Sequence, residues 1–145
     1  MSTKRQNLPG IIEIRCINKY SLEPNILHRS FAGLPIGIFT DQTTAVDFVD
    51  VAEIELKTTE DNHRHVEEAN LKFLAAELSE EISNPDNRFL ARQAGGQWYL
   101  IGYRESLAPE SKTTQKIAKP SGDATAYDVE ISFKDIKALV PVNVF

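Results

Sequence analysis

The chain has 145 residues, of which 41% are hydrophobic and 26% charged, and its formal net charge is −5. This length fits one domain able to bury a core, and the composition excludes a disordered tail or a fibre. The negative charge argues against general attraction to DNA, RNA or anionic lipid, and no apolar run approaches the roughly 18 residues of a membrane span. We therefore expect no membrane or nucleic-acid partner and a cytoplasmic protein.

The N-terminal residues 1–9 are polar and end in Pro9-Gly10. Such a segment, with no apolar run for export, is typical of a flexible arm. Residues 10–145 contain no internal repeat and no composition shift that would mark a boundary. We predict a flexible N-terminal arm followed by a single β-rich domain.

The first regular pattern is an alternation from Ile11 to Ile17, which predicts a strand with Ile12, Ile14 and Cys16 on one face. Cys16 is the only cysteine, so an internal disulfide and a multi-cysteine zinc site are excluded. Because free cysteine behaves as a small hydrophobic residue, we interpret it as a core thiol rather than a nucleophile.

Three residues, Gly33, Pro35 and Gly37, interrupt the apolar segment that follows. Glycine and proline at this density break helices and central strands, so we predict short extended pieces here. Alternation resumes in residues 47–58, which predicts a second strand.

The next segment supports two interpretations. As a long helix over residues 62–83, its apolar residues fall near a 3.6-residue period, and Ala, Glu, Leu and Lys favour a helix. As a strand over residues 62–75, Ala69, Leu71 and Phe73 alternate with polar residues, and a short helix near residues 76–83 follows. Thr58 to Asn62 would then connect a hairpin.

A clearer hairpin surrounds Gly95-Gly96, with apolar residues on both faces of each flanking run. A two-residue turn at these glycines would place Phe89 opposite Gly102 and Arg92 opposite Tyr99, where the guanidinium could lie over the ring. Apolar residues on both faces predict a hairpin at the centre of the sheet.

Residues 105–125 are rich in Ser, Thr, Lys and Pro, which predicts a long loop. We take Lys112, Lys116 and Lys119 as interaction residues of this loop, with protein rather than nucleic acid, because acidic residues flank them and no aromatic platform accompanies them. A strand over residues 127–133 follows. The C-terminal Val142, Val144 and Phe145 form an apolar end that must dock on its own domain or on a neighbour.

Signatures of chemistry are sparse. His63 and His65 would share a face on a strand and are weak candidates for metal ligands; in a turn they would be solvated. The sequence has no phosphate-binding loop, no dinucleotide fingerprint and no nucleophile elbow. We predict a protein that is not an enzyme, with no cofactor and no catalytic residue.

From about residue 48 to residue 140 the order of parts resembles small prophage-encoded structural proteins, the tail or head–tail proteins of tailed bacteriophages. In these a strand, a glycine-containing turn and a second strand precede a loop and a last amphipathic strand. The segments that carry the resemblance are Phe89–Ala94, Gly95-Gly96, Trp98–Arg104 and Tyr127–Phe133. It implies a β-rich virion subunit without catalytic residues, which self-associates or docks on other virion proteins, and it favours the strand for residues 62–75.

The fold expected is therefore mainly β, an antiparallel sandwich or barrel-like sheet with one short helix near residues 76–83. The alternative is an α+β fold in which a long helix over residues 62–83 lies on an antiparallel sheet. The first fold predicts a non-enzymatic structural protein that forms homo-oligomers, cytoplasmic before assembly and then part of a virion. The second predicts a small-ligand-binding domain whose cavity is lined by Trp98, Tyr99 and Tyr103.

Overall fold

The computed structural model describes residues 2–104, 106–116 and 126–145. In this part of the chain the fold is mainly β, so the first of the two predicted folds is confirmed. The α-helices are α1 (Ile26–Phe31) and α2 (Glu80–Ser83), and two short 3-10 helices span Lys19–Ser21 and Thr40–Gln42. The strands are β1 (Ser2–Asn18), β2 (Gly37–Ile38), β3 (Thr43–Ala45), β4 (Val49–Asp61), β5 (Arg64–Ala75), β6 (Asn87–Gln93), β7 (Trp98–Ile101), β8 (Glu110–Lys116), β9 (Ala126–Asp135) and β10 (Leu139–Val144).

These strands form one mixed sheet in the order β2-β10-β7-β6-β1-β4-β5-β9-β8, with β3 paired to β1. Within the described residues β2 and β10 run parallel, and the other paired strands run antiparallel. Buried side chains from β1, β4, β5, β6, β7, β9 and β10 belong to one apolar cluster, so a single core holds the sheet together. Among the described residues, the outermost strands of this sheet are β2 on one side and β8 on the other.

The predicted N-terminal arm is wrong for residues 2–9, which are the first part of β1. Its pairing with β4 runs from Ser2 opposite Glu60 to Leu8 opposite Ile54, and the second half of β1 pairs with β6. The register shifts next to Gly10, which has a φ of 74°. The side chains of residues 3–7 are exposed, so backbone hydrogen bonds hold this half of the strand. Because it buries no side chains, its sequence shows no alternation of apolar and polar residues. Residue 1 lies outside the described residues.

A second irregularity in β1 explains why Ile12 does not share the face of Ile14. Ile11 lies opposite Gln93 and Glu13 opposite Arg92, so Ile12 is the extra residue of a bulge. It is exposed, whereas Ile14 and Cys16 are buried. The core thiol predicted for Cys16 is thereby confirmed, and burial together with the nearby Glu81 carboxylate raises its pKa to about 11.

Residues 64–75 form β5, so the long helix over residues 62–83 is wrong. β5 pairs with β4 on one side and with β9 on the other, and it buries Ala69, Leu71 and Phe73 completely or nearly so. The hairpin turn at Asn62 and His63 has positive φ at both residues, as a two-residue type I′ turn requires. Pairing on both sides and burial thus outweigh the helix propensity of the segment. The short helix is α2, capped by the Ser79 hydroxyl, which accepts from the Glu81 N–H.

The β6–β7 hairpin is central, as predicted, but its register is one residue away from the expected one. Arg92 lies opposite Trp98 and Phe89 opposite Ile101. The Gln93 N–H donates to the Gln97 carbonyl at 2.9 Å, so the loop contains three residues, with its positive φ at the last glycine, Gly96. A shift of one residue reverses the faces of β7 relative to β6, and the Arg92 guanidinium lies 5.7 Å from the Trp98 ring instead of over Tyr99.

Two further segments differ from the expectation. Residues 26–31, predicted as extended, form α1. The helix ends two residues before Gly33, whose φ of 72° is typical of a glycine that follows a helix. The predicted loop over residues 105–125 contains β8, which pairs along its length with β9. Residues 105 and 117–125 lie outside the described residues. A polar strand at a sheet edge has no buried face, and its sequence therefore carries no alternating apolar pattern.

A buried arginine fixes the corner next to α1. Arg88 is almost fully buried, and its guanidinium donates to the carbonyl of Arg104 at 3.1 and 2.9 Å and to that of Pro85 at 2.8 Å. Gly102, with a φ of 89°, lies so close to Pro109 and Arg88 that a Cβ there would be 2.6 Å from the proline ring. These contacts hold the chain after β7 in place beside α1.

Candidate functional site

A cleft of about 610 Å³ lies between α1 and the chain after β7, and we call it the α1 cleft. One wall is apolar and is formed by Ile26, Leu27 and Phe31. The polar residues that line the cleft are Lys19, Asn25, His28, Tyr103, Arg104 and Ser106. None of the described lining residues is acidic, but each of the two lining cations faces a carboxylate outside the lining, Arg104 facing Asp135 and Lys19 facing Asp86. The cleft therefore combines an apolar wall with polar groups and two paired cations.

Tyr103 and Arg104 line the side of the cleft that faces α1. Arg104 donates from Nε and Nη2 to the two carboxylate oxygens of Asp135, and its guanidinium lies 5.3 Å from the Tyr103 ring. Although burial opposes it, this hydrogen bonding lowers the pKa of Asp135. The fork uses two of the three guanidinium nitrogens, so Nη1 remains available to an anion.

The Tyr103 hydroxyl is buried beside the Asp135 carboxylate, although other atoms of the side chain line the cleft. Burial first, and then the nearby Asp135 carboxylate, raise its pKa to about 12, so the phenol stays protonated at neutral pH. The ring packs edge-on against Phe133 at 5.6 Å between centroids, which fixes its position.

A second exposed feature, which we call the apolar edge, consists of Leu34, Phe39 and Phe145. Their side chains are 51%, 60% and 71% exposed. The rings of Phe39 and Phe145 lie 6.2 Å apart, and the Thr40 N–H and hydroxyl both donate to the Phe145 carbonyl, at 2.8 and 2.6 Å. The apolar edge therefore borders β2, the last strand on this side of the sheet.

The C-terminal interaction residues have three different environments. Val142 is buried in β10, opposite Trp98, and Val144 is half-buried opposite Ile38. Phe145 is exposed. The apolar end therefore docks on its own domain, and of these three residues Phe145 alone presents a large apolar surface to a partner.

The lysines proposed as interaction residues lie on or beyond β8. Lys112 is exposed and lies opposite Glu130 of β9, and Lys116 is the last residue of the strand. Lys119 lies outside the described residues. The structure thus places Lys112 on a sheet edge rather than in a loop, and the role of all three lysines stays a prediction.

The two weak metal candidates are not arranged as a pair of ligands. His63 lies in the β4–β5 turn, whereas His65 lies in β5 between two carboxylates, with Nδ1 3.2 Å from Glu60 and Nε2 3.0 Å from Glu67. No group of three metal-binding side chains occurs among the residues that the structure describes. The hydrogen bond with Glu67, and then that with Glu60, raise the pKa of His65. Glu67 also accepts from the Ala138 N–H at 2.9 Å, so the cluster joins β5 to the β9–β10 connection.

The aromatic residues predicted to line a ligand cavity do not lie together. Tyr103 lines the α1 cleft, but Trp98 and Tyr99 are absent from its walls. Trp98 is nearly buried in the central hairpin under Arg92. Small-ligand binding stays a prediction, but the long helix that it required is absent and its proposed lining is reduced to one residue.

Sequence reasoning missed the α1 cleft because residues from two distant parts of the chain build it, Lys19 with α1 on one side and Tyr103, Arg104 and Ser106 on the other. A usable signal was present in the first segment. Asn25 before an apolar pair and Gly33 after the last apolar residue are typical of the start and end of a short helix. The second segment gave no signal, since Tyr103 and Arg104 read as the end of a strand.

No helix in the described part of the chain is both long and apolar enough to cross a membrane. Compared with known proteins, the chain matches no family model, no curated protein and no solved structure.

Proposed function

We propose that this chain is a non-enzymatic structural subunit that associates with copies of itself. We further propose that it is a phage-derived virion component, a tail or head–tail protein that is cytoplasmic before assembly. The observation that carries the proposal is the apolar edge, in which the adjacent Phe39 and Phe145 rings and the side chain of Leu34 are exposed near β2, the outermost described strand on this side of the sheet. The virion assignment draws its support from the sequence resemblance described above.

The apolar edge suits protein contact for two physical reasons. Exposed aromatic side chains that lie together mark surfaces that are covered in an assembly, because their burial is favourable and monomers rarely leave them in water. β2 has only two residues and a partner on one side, so its outer backbone groups can accept a strand from another chain. Aromatic burial and strand addition would act at the same place.

The opposite edge has a different character. The described side chains of β8, residues 110–114, are all exposed and include Glu110 and Lys112. Charged edges, lysine above all, resist unspecific pairing with other strands. Self-association is therefore expected at the β2 edge, and β8 is expected to stay solvated or to meet a partner through charge.

The proposal is tested by light scattering over a wide range of concentration. Replacing both aromatic residues (Phe39→Ser with Phe145→Ser) is expected to weaken self-association at least tenfold. Ile12→Ser, which replaces a half-exposed apolar side chain on β1, is the control and should associate like the wild type. A wild-type protein that stays monomeric at the highest concentration, alone and with other virion proteins, would contradict the proposal.

A further inference from the structure

The outer side of β8 is a regular strand edge. β8 pairs with β9 over seven consecutive residues, from Glu110 opposite Ser132 to Lys116 opposite Ala126, without a shift of register. Among the described residues no strand lies on its other side. Proline and β-bulges are common features that stop a strand edge from pairing, and β8 contains neither. Its charged residues therefore decide whether another strand can pair with it.

Two charged side chains of β8 are not engaged within the chain. Glu110 and Lys112 are exposed, and in the described part of the chain neither takes part in an ion pair. Lys112 lies opposite Glu130 of β9, but the two do not form an ion pair. The residues between and after them, Ser111, Thr113 and Thr114, are uncharged and exposed. The two charges at this edge can therefore interact with a strand that pairs from outside.

The sequence of β8 is compatible with antiparallel pairing to a second copy of itself. When a two-fold axis perpendicular to the sheet relates two such strands, the residue on the axis lies opposite its own copy. With Thr113 on the axis, all seven residues of β8 are paired, and Lys112 lies opposite Thr114. In the same register Glu110 of each copy lies opposite Lys116 of the other. Opposite charges and threonine pairs are both favourable in directly opposite positions.

The neighbouring symmetric registers of the same two strands are unfavourable. An axis at Lys112 places this lysine opposite its own copy, and an axis at Thr114 places Lys112 opposite Lys116. Like charges in directly opposite positions destabilise a pair of strands. An axis at Ser111 brings Glu110 opposite Lys112, but only three residues of β8 are then paired. The charges therefore favour a single register over the full length of the strand.

We propose that β8 pairs with β8 of a second copy of this chain, antiparallel and about a two-fold axis at Thr113. This inference rests on the proposed function, because it names the partner and one contact for self-association. The sheet then continues from one copy into the other, and the second copy is the partner that β8 meets through charge. Backbone hydrogen bonds hold the two strands together, and the pairs of Glu110 with Lys116 fix their register. The contact is separate from the apolar edge, which borders β2 at the other end of the sheet.

Single cysteines introduced into β8 test the contact and its register. In Thr113→Cys the two new residues lie opposite each other, with Cα atoms about 4.5–5.5 Å apart, a distance that a disulfide can bridge. Ser111→Cys is the matched control, because it is exposed on the same face of the strand but would lie about 13 Å along the strand from its own copy. Cys16 is buried and does not compete. On mild oxidation Thr113→Cys is expected to form covalent dimers at least tenfold faster than Ser111→Cys, as measured on non-reducing gels.

An exchange of charges gives a second measurement. Adding Glu110→Lys to Thr113→Cys places like charges at both ends of the paired strands, so cross-linking should slow several-fold, and most at low salt. Adding Lys116→Glu as well restores opposite charges and should restore the rate. Circular dichroism checks that each variant folds. A rate that does not change with Glu110→Lys would overturn the proposed register.

The outcomes separate this contact from the apolar edge. Thr113→Cys should still cross-link in the variant that lacks both aromatic residues of that edge (Phe39→Ser with Phe145→Ser). If the wild type associates in light scattering but Thr113→Cys cross-links no faster than Ser111→Cys, the inference is overturned and the proposed function stands. A wild type that never associates overturns the proposed function and this inference with it.

Discussion

Replacing Arg88 by methionine (R88M) is expected to destabilise the fold by about 3 kcal/mol. The guanidinium donates to the Arg104 and Pro85 carbonyls in partly buried hydrogen bonds and to the Asn87 carbonyl in a buried one, and a buried carbonyl that loses its donor costs about 1–3 kcal/mol. The one buried and two partly buried carbonyls together give roughly 2–6 kcal/mol. The lower part of this range applies, because methionine also removes a buried charge whose desolvation opposed folding. The measurement is urea unfolding followed by far-ultraviolet circular dichroism.

Arg92→Met on the same strand is the matched control. Arg92 lies 3.5 Å from Glu13 with a side chain that is more than one-third exposed, and its guanidinium lies 5.7 Å from the Trp98 ring. Exposed ion pairs and cation–π contacts contribute at most about 1 kcal/mol each, so its unfolding midpoint should move little. If R88M and R92M shift the midpoint equally, with unchanged slopes, the reasoning about the buried corner is refuted.

Two further changes test other parts of the fold. Gly102→Ala should lower the free energy of unfolding by about 2 kcal/mol or more, because alanine is strained at this positive φ and its Cβ would clash with Pro109. Gly33 also has a positive φ but lies in open space, so Gly33→Ala should lose less stability in the same unfolding assay. The hydrogen bond with Glu67 is the main cause of the raised pKa of His65. The stability that protonated His65 contributes is therefore complete below pH 6.5 and is lost as the pH rises through its pKa in the folded state. The stability difference between the wild type and His65→Ala should therefore shrink above pH 6.5, and a constant difference from pH 6 to pH 9 would contradict the role of this cluster.

The strands that the sequence predicted well are those with one buried and one wet face. In β9 the alternation of Val129, Ile131 and Phe133 with polar residues matches their burial, because one face of the strand packs on the core and the other is more exposed to solvent. The N-terminal half of β1 and all of β8 lack this boundary. Backbone pairing alone fixes them, and backbone hydrogen bonds are the same for every sequence. The predicted register of the β6–β7 hairpin was wrong because Gly95-Gly96 fits both a two-residue and a three-residue loop, and the loop length sets the register.

The candidate surfaces were only partly visible in the sequence. Phe145 stood out as an apolar end, and the structure leaves it exposed beside Phe39, more than one hundred residues earlier in the chain. The α1 cleft depends on Tyr103 and Arg104 meeting α1 across the sheet, which is a consequence of strand order. Local periodicity describes single elements, and it contains no information on which distant elements become neighbours.

The continuity of β1 has a mechanical consequence. Its first half is hydrogen-bonded to β4 and its second half to β6, so one strand joins the two parts of the sheet. A force that pulls Ser2 along the strand axis loads the hydrogen bonds to β4 side by side, and they must break together rather than one after another. A fold built in this way resists tension applied at Ser2 better than tension that peels β8 from β9.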